Sequence, residues 1–166
     1  MAGIISSSQS GRRRIGAMSD WLDAARGRFE FLRRVAELRG AKVRFVEAGQ
    51  WSACNKGKLI ALNVAEVSEC AQTLYKQAGT DSIACEWAAA TWFIAHELGH
   101  YELHGGADLA QYDTDSRYEE RLEIEADMFA RRFLMETAGL PASEAAEKCG
   151  LIAKQIRDKS PGKAAF

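Results

Sequence analysis

The residues best suited to chemistry are two histidines and a glutamate in His96-Glu97-Leu98-Gly99-His100. Residues four apart on an α-helix lie one above the other, roughly 6 Å distant, so both imidazoles can converge on one cation. Zinc accepts histidine nitrogen at about 2.0–2.1 Å. Glu97 stands one step round the helix from His96. In a helical H-E-x-x-H that step sets the carboxylate beside a water on the metal, not on the metal itself. Zinc lowers the pKa of such a water toward about 7. Glu97 is then placed to take its proton and pass it to a leaving amine.

A catalytic zinc takes three protein ligands and keeps one position for water. The third ligand must come from another element, and the best-placed carboxylate is Glu123, in Glu123-Ile124-Glu125-Ala126-Asp127. On a helix Glu123 shares a stripe with Ala126, Asp127 and Ala130, and the two alanines permit close approach to the histidine helix. By spacing alone Glu120 competes, because it shares the stripe of Glu123 and Asp127. Asp127, one turn after Glu123, can accept the second ring N–H of a zinc histidine and fix its tautomer. Phe129, Phe133 and Leu134 bury the adjoining face.

All three histidines of the chain fall at His96, His100 and His104. His104 lies roughly 12 Å from His96 along a rigid helix, too far for both to hold one ion. It reads either as a group behind a ligand or beside the substrate, or as a helix-terminal histidine favoured by the macrodipole. An oxyanion stabiliser is also required. Tyr101, Tyr112, Arg117, Tyr118 and His104 are the available types, and spacing does not choose among them. Trp87 and Trp92 read as core. H-E-x-x-H also arises by chance on amphipathic helices. Here an uncharged approach from Ala88 to Ala95 and a second acidic helix accompany it.

The elements that must position these groups follow from periodicity. Residues 1–17, rich in Ser, Gly and Arg, read as a flexible leader. Trp21, Leu22, Ala25, Phe29, Leu32, Val35 and Ala36 recur at helical spacing, which predicts a helix over about 20–39, ended by Gly40. Residues 42–48 alternate and predict a strand, 49–57 a turn, and 58–63 a second strand. These two strands are expected to pair as a hairpin or small antiparallel sheet. Further helices are expected over 64–77, 85–103 and 118–137, with 105–117 as a polar loop. Pro141 can open a last helix running to about 159. The fold class is therefore α+β: a mostly helical, zincin-like domain over 18–160, a small antiparallel sheet beside the active-site helix, and a tail over 161–166. The strand at 58–63 is expected to offer its edge to an extended substrate.

With 166 residues, 47% of them hydrophobic and 27% charged, the chain suits one globular domain. A net charge of −1 supplies no bulk attraction to nucleic acid, so no direct nucleic-acid binding is expected. The basic run Arg12-Arg13-Arg14 reads as a solvated tail. No window is apolar enough to span a bilayer, and the first residues lack a signal-peptide core, so no membrane partner is expected. Cys54, Cys70, Cys85 and Cys149 form no C-x-x-C pair and are expected as reduced thiols in a cytoplasmic protein.

The run Phe93-Ile94-Ala95-His96-Glu97-Leu98-Gly99-His100-Tyr101-Glu102-Leu103-His104, followed by Glu123-x-x-Ala126-Asp127-x-Phe129-Ala130, resembles the ImmA/IrrE metallo-endopeptidases. The strand ending Ile60-Ala61-Leu62-Asn63 is also similar to the strand before that family's active-site helix. The resemblance covers about 58–135. It implies a gluzincin-like fold, one Zn2+ per chain on His96, His100 and Glu123, and Glu97 as base. It also implies a protein substrate, a repressor-type regulator of the helix-turn-helix kind, inactivated by cleavage. The chain departs from the family in its long segment between Asn63 and His96, and in Glu136, where proline is frequent. The alternative function is a catalytically silent zincin-fold module that sequesters a regulator as an anti-repressor.

Overall fold

The computed structural model describes residues 26–47, 53–55, 59–78, 82–105, 111, 114–138 and 140–158. The expected leader, the tail after 160 and Tyr112 lie outside the described residues. Helix α1 (26–38) buries Phe29, Leu32 and Ala36, spaced three and four apart as an amphipathic helix requires. Gly40, at φ 88°, ends it. The Ala41 N–H donates to the Ala36 carbonyl and the Gly40 N–H to that of Glu37, each at 2.9 Å. These two bonds make a Schellman cap, whose left-handed residue favours glycine.

The sheet corrects one expectation. Its strands are β1 (Lys42–Val46), β2 (Ala53–Asn55) and β3 (Leu59–Asn63), in the order β1-β3-β2. β1 and β3 run parallel, with Val43 opposite Ile60 and Phe45 opposite Leu62, so they form no hairpin. Only β2 pairs antiparallel to β3, with Cys54 opposite Ile60. The stretch expected as a turn contains β2. That short strand takes the antiparallel place beside β3 and so sends β3 off in the direction of β1. β3 is therefore central, flanked on both sides, and does not supply the free edge expected for a substrate.

Ile60 and Leu62 point into the core, and Asn63 stops the strand by turning it directly into α2 (Val64–Ala78). Its Oδ1 accepts the N–H groups of Ala65 at 2.8 Å and Glu66 at 3.3 Å, the arrangement of an N-cap. Val67, Cys70, Ala71 and Leu74 commit the apolar face of α2 to the core.

Helix α3 (Ser82–Leu103) is the centre of the molecule. Residues 88–99 are all buried, which fits a helix that is apolar all round on its approach to the histidines. It packs against α2, α4 (Ser116–Ala138), α5 (Leu140–Asp158), β2 and β3. Trp87 meets Phe29 of α1, ring centroids 5.2 Å apart, and Trp92 is fully buried, so both tryptophans serve packing. Helix α4 begins two residues before the expected start, inside the stretch expected as a loop. The cause is Asp115, whose Oδ1 accepts the N–H groups of Arg117 and Tyr118 at 3.0 and 3.3 Å. Residues 111 and 114 are helical as well.

Cys70, Cys85 and Cys149, one each from α2, α3 and α5, are buried free thiols. The Cys70 thiol donates to the Cys149 carbonyl at 3.4 Å. A side-chain hydrogen bond with the Cys70 thiol, together with burial, pushes the Cys149 thiol far up, so this group is inert as a nucleophile. No described helix is long and apolar enough to cross a membrane.

Gly150 fixes how α5 lies on α3. A Cβ there would stand 2.3–2.5 Å from the Trp92 ring. In an open helix, Gly→Ala would stabilise by about 1 kcal/mol. Here the overlap with a buried ring reverses the sign, at a cost of about 1–3 kcal/mol. Gly150→Ala is expected to lower the melting temperature by roughly 2–10 °C, read by circular dichroism.

Candidate metal centre

Helices α3 and α4 meet along a buried line with two alanines at its centre. Leu122, Ala126, Ala130 and Leu134 recur every fourth residue of α4 and are buried. Opposite them stands Gly99, where an added Cβ would lie 3.1 Å from the Ala126 Cα, the Ala126 carbonyl oxygen and Phe129 Cδ1. The glycine between the two histidines is thus a point of close approach. It lets α4 come near enough for a carboxylate to reach the imidazoles.

His96 Nε2 and His100 Nε2 are 3.1 Å apart. Glu123 straddles them, with one oxygen 3.3 Å from His96 Nε2 and the other 3.3 Å from His100 Nε2. Among the described residues this is the group of ligand-type side chains that could hold a metal ion. Glu120, the competitor by spacing, is exposed. Behind His96, Asp127 Oδ1 lies 2.9 Å from Nδ1. A carboxylate only accepts, so that bond places the ring proton on Nδ1 and leaves Nε2 with a lone pair. Tetrahedral zinc with bonds of about 2.0–2.1 Å separates its ligand atoms by about 3.3–3.4 Å. The spacings of 3.1 and 3.3 Å and the donor set of two imidazole nitrogens and a carboxylate fit such a cation.

The electrostatics agree. Burial disfavours a charged His96, yet its hydrogen bonds to Asp127 and Glu123 and the charges of Glu123 and Glu97 outweigh it, and the ring is pushed up to about 9. Burial likewise opposes a charged Glu123, but His100 and His96 hold it well below the usual carboxylate range. The pocket thus calls for positive charge. Glu97 is buried (4% exposed) and lies close enough to His96 to act on its ionisation.

The remaining sequence candidates separate. Tyr101 donates its hydroxyl to the Arg39 carbonyl at 2.9 Å, tying α3 to the end of α1. His104 sits behind His100, with Nδ1 3.0 Å from His100 Nδ1 and Nε2 2.9 Å from Glu125 Oε2. Burial is the main cause that lowers its pKa. Arg117 is exposed in the first turn of α4, and Tyr118 is half-buried there under the Arg121 guanidinium, 5.1 Å from its ring centroid. Sequence reasoning missed Glu125 and the role of Gly99. For Gly99 a signal existed, since a small residue inside the motif matches Ala126 across the helix pair. For Glu125 none did.

Two outcomes follow from this geometry. Gly99→Ala must move α4 by a few tenths of an ångström, carrying Glu123 away. Metal affinity should fall about tenfold, or about 1.4 kcal/mol, with helix content retained, as read by chelator competition. The second concerns pH in the metal-free protein. His96, raised from 6.5 to about 9, contributes stability that is present below about 6.5 and lost as pH rises through about 9. Glu123, depressed from 4.5, contributes stability that is present above about 4.5 and lost in stronger acid. The melting temperature of chelator-treated protein should therefore fall from pH 6.5 to 9. Zinc, replacing the proton, should remove that alkaline fall.

The arrangement has a counterpart among known proteins. Residues 88–151, less than half of the chain, match the family model for the IrrE N-terminal-like domain of peptidase family M78. Comparisons with curated proteins and with solved structures give no match. The matched stretch holds both histidine ligand candidates, Glu97, Glu123 and Asp127, and it is metallopeptidase-like. This part of the chain is similar to the IrrE N-terminal-like domain of that peptidase family.

Proposed function

We propose that the chain is a zinc-dependent endopeptidase that cuts a protein substrate, a repressor-type regulator, with Glu97 as general base. The observation that carries this reading is the buried Glu97 carboxylate beside a two-histidine, one-carboxylate centre. That donor set is a catalytic zinc set, with a position left for water or substrate. Zinc held there supplies a Lewis acid that activates water and polarises the scissile carbonyl. Asp127 orients the His96 ring and Glu123 bridges toward both histidines. Glu97 takes a proton from the attacking water and delivers it to the departing amine. Burial keeps bulk water from competing for that carboxylate.

The sheet supports a docking mode different from the one expected of β3. Among the described residues β2 is an edge strand and packs on α3, which favours its outer edge for an extended substrate segment. Tyr101 and His104 are engaged elsewhere, which leaves Arg117, Tyr118 and Tyr112 as oxyanion candidates. The repressor-type substrate rests on the family resemblance alone. A silent sequestering module would have no use for an acid buried beside His96, and Glu97 therefore favours catalysis.

Glu97→Gln should keep its zinc and lose about 10²–10⁴-fold in cleavage rate. Mass spectrometry of a helix-turn-helix repressor incubated with each protein reads the result. Undiminished cleavage by the variant removes Glu97 from the mechanism. An intact repressor in a stable complex with the wild type would replace proteolysis by sequestration.

A further inference from the structure

We propose that His104 and Glu125 form a positioning pair for His100, the counterpart of what Asp127 does for His96. The inference rests on the metal-centre reading. A ligand histidine needs its non-ligating nitrogen to donate to a fixed acceptor, which holds the ring and its tautomer. His96 has that acceptor in Asp127, 2.9 Å from Nδ1. The neighbour that His100 Nδ1 meets is another imidazole, His104 Nδ1, at 3.0 Å. Two neutral rings can share that contact in one sense only: one nitrogen carries the proton and the other receives it.

Glu125 decides the sense. Its Oε2 lies 2.9 Å from His104 Nε2. A carboxylate accepts, so His104 carries its proton on Nε2 and leaves Nδ1 as an acceptor. His100 then donates from Nδ1 and turns the Nε2 lone pair toward His96 Nε2 and Glu123, 3.1 and 3.3 Å away. Every proton in the chain Glu125–His104–His100 has one place, and no ring needs to be charged. The pair joins the residue that follows α3 to α4. His104 donates its backbone N–H to the His100 carbonyl at 2.9 Å, closing α3. Its side chain is only 7% exposed, against 46% for Glu125, so the ring is fixed while the carboxylate reaches water.

The test measures zinc affinity of the full chain by competition with a chromophoric chelator. His104→Ala should weaken binding about 10–100-fold. His104→Asn, whose Oδ1 can stand where Nδ1 stood, should bind within about threefold of wild type. Glu125→Gln keeps an acceptor and should also bind within about threefold, whereas Glu125→Ala should lose more. Long-range ¹H–¹⁵N spectra of the zinc-loaded protein should show protons on His100 Nδ1 and His104 Nε2. That readout stands even if His104→Ala fails to fold. A proton on His104 Nδ1, or wild-type affinity in a folded His104→Ala, would overturn the pair while leaving the metal centre intact. A wild type that binds no zinc would overturn the centre and the pair together.

Discussion

Lone-pair donors gather at hydrogen-bond distance only when positive charge, a proton or a cation, is shared among them. His96 Nε2, His100 Nε2 and the Glu123 carboxylate stand 3.1–3.3 Å apart at the junction of two helices. Asp127 has already claimed the proton of His96. What remains at the two Nε2 atoms and the carboxylate draws positive charge, a proton in the metal-free protein or a divalent cation in its place. The core of α3, the small-residue contact at Gly99 and the cap at Asp115 can all be understood as means of bringing α4 to that junction and holding it there.

The design divides labour between the two faces of the contact line. Glu123 and Asp127 lie on one side of Ala126, and Glu125 lies on the other. The first side supplies the candidate ligand and the partner of His96, and the second supplies the carboxylate against His104. The sheet contributes in another way. β3 runs into the N-cap Asn63 and anchors α2 in the core, and β2 forms an edge lying on α3. Buried thiols and Trp92 against Gly150 lock α2 and α5 to the far part of α3, where no chemistry is asked of them.

The residues that the structure brings together were legible where helical periodicity governs. Four-residue spacing on one helix picks out His96 and His100, and the same spacing on the next picks out Glu123 and Asp127. It leaves Glu120 open, and only the roll of α4 in the folded chain turns that residue outward. What stayed hidden depends on contacts between distant segments. Glu125 is off the stripe of Glu123 and reaches His104 across a chain excursion whose path no local pattern encodes. β2 is three residues long, Ala-Cys-Asn, with too little alternation to read as a strand, and missing it reversed the expected direction of β3. The start of α4 lay two residues early because one aspartate, inside a polar stretch, acts as a cap.

Three side chains from two helices, His96, His100 and Glu123, are placed to hold one metal ion. Elemental analysis by mass spectrometry after zinc repletion and desalting addresses this directly, on the wild type and on His96→Ala, Glu123→Ala and Glu120→Ala. One zinc per chain is expected in the wild type and in Glu120→Ala, and less than about a tenth of that in the two ligand variants. A wild type without stoichiometric metal, or a Glu123→Ala protein that retains it, would contradict the centre described here.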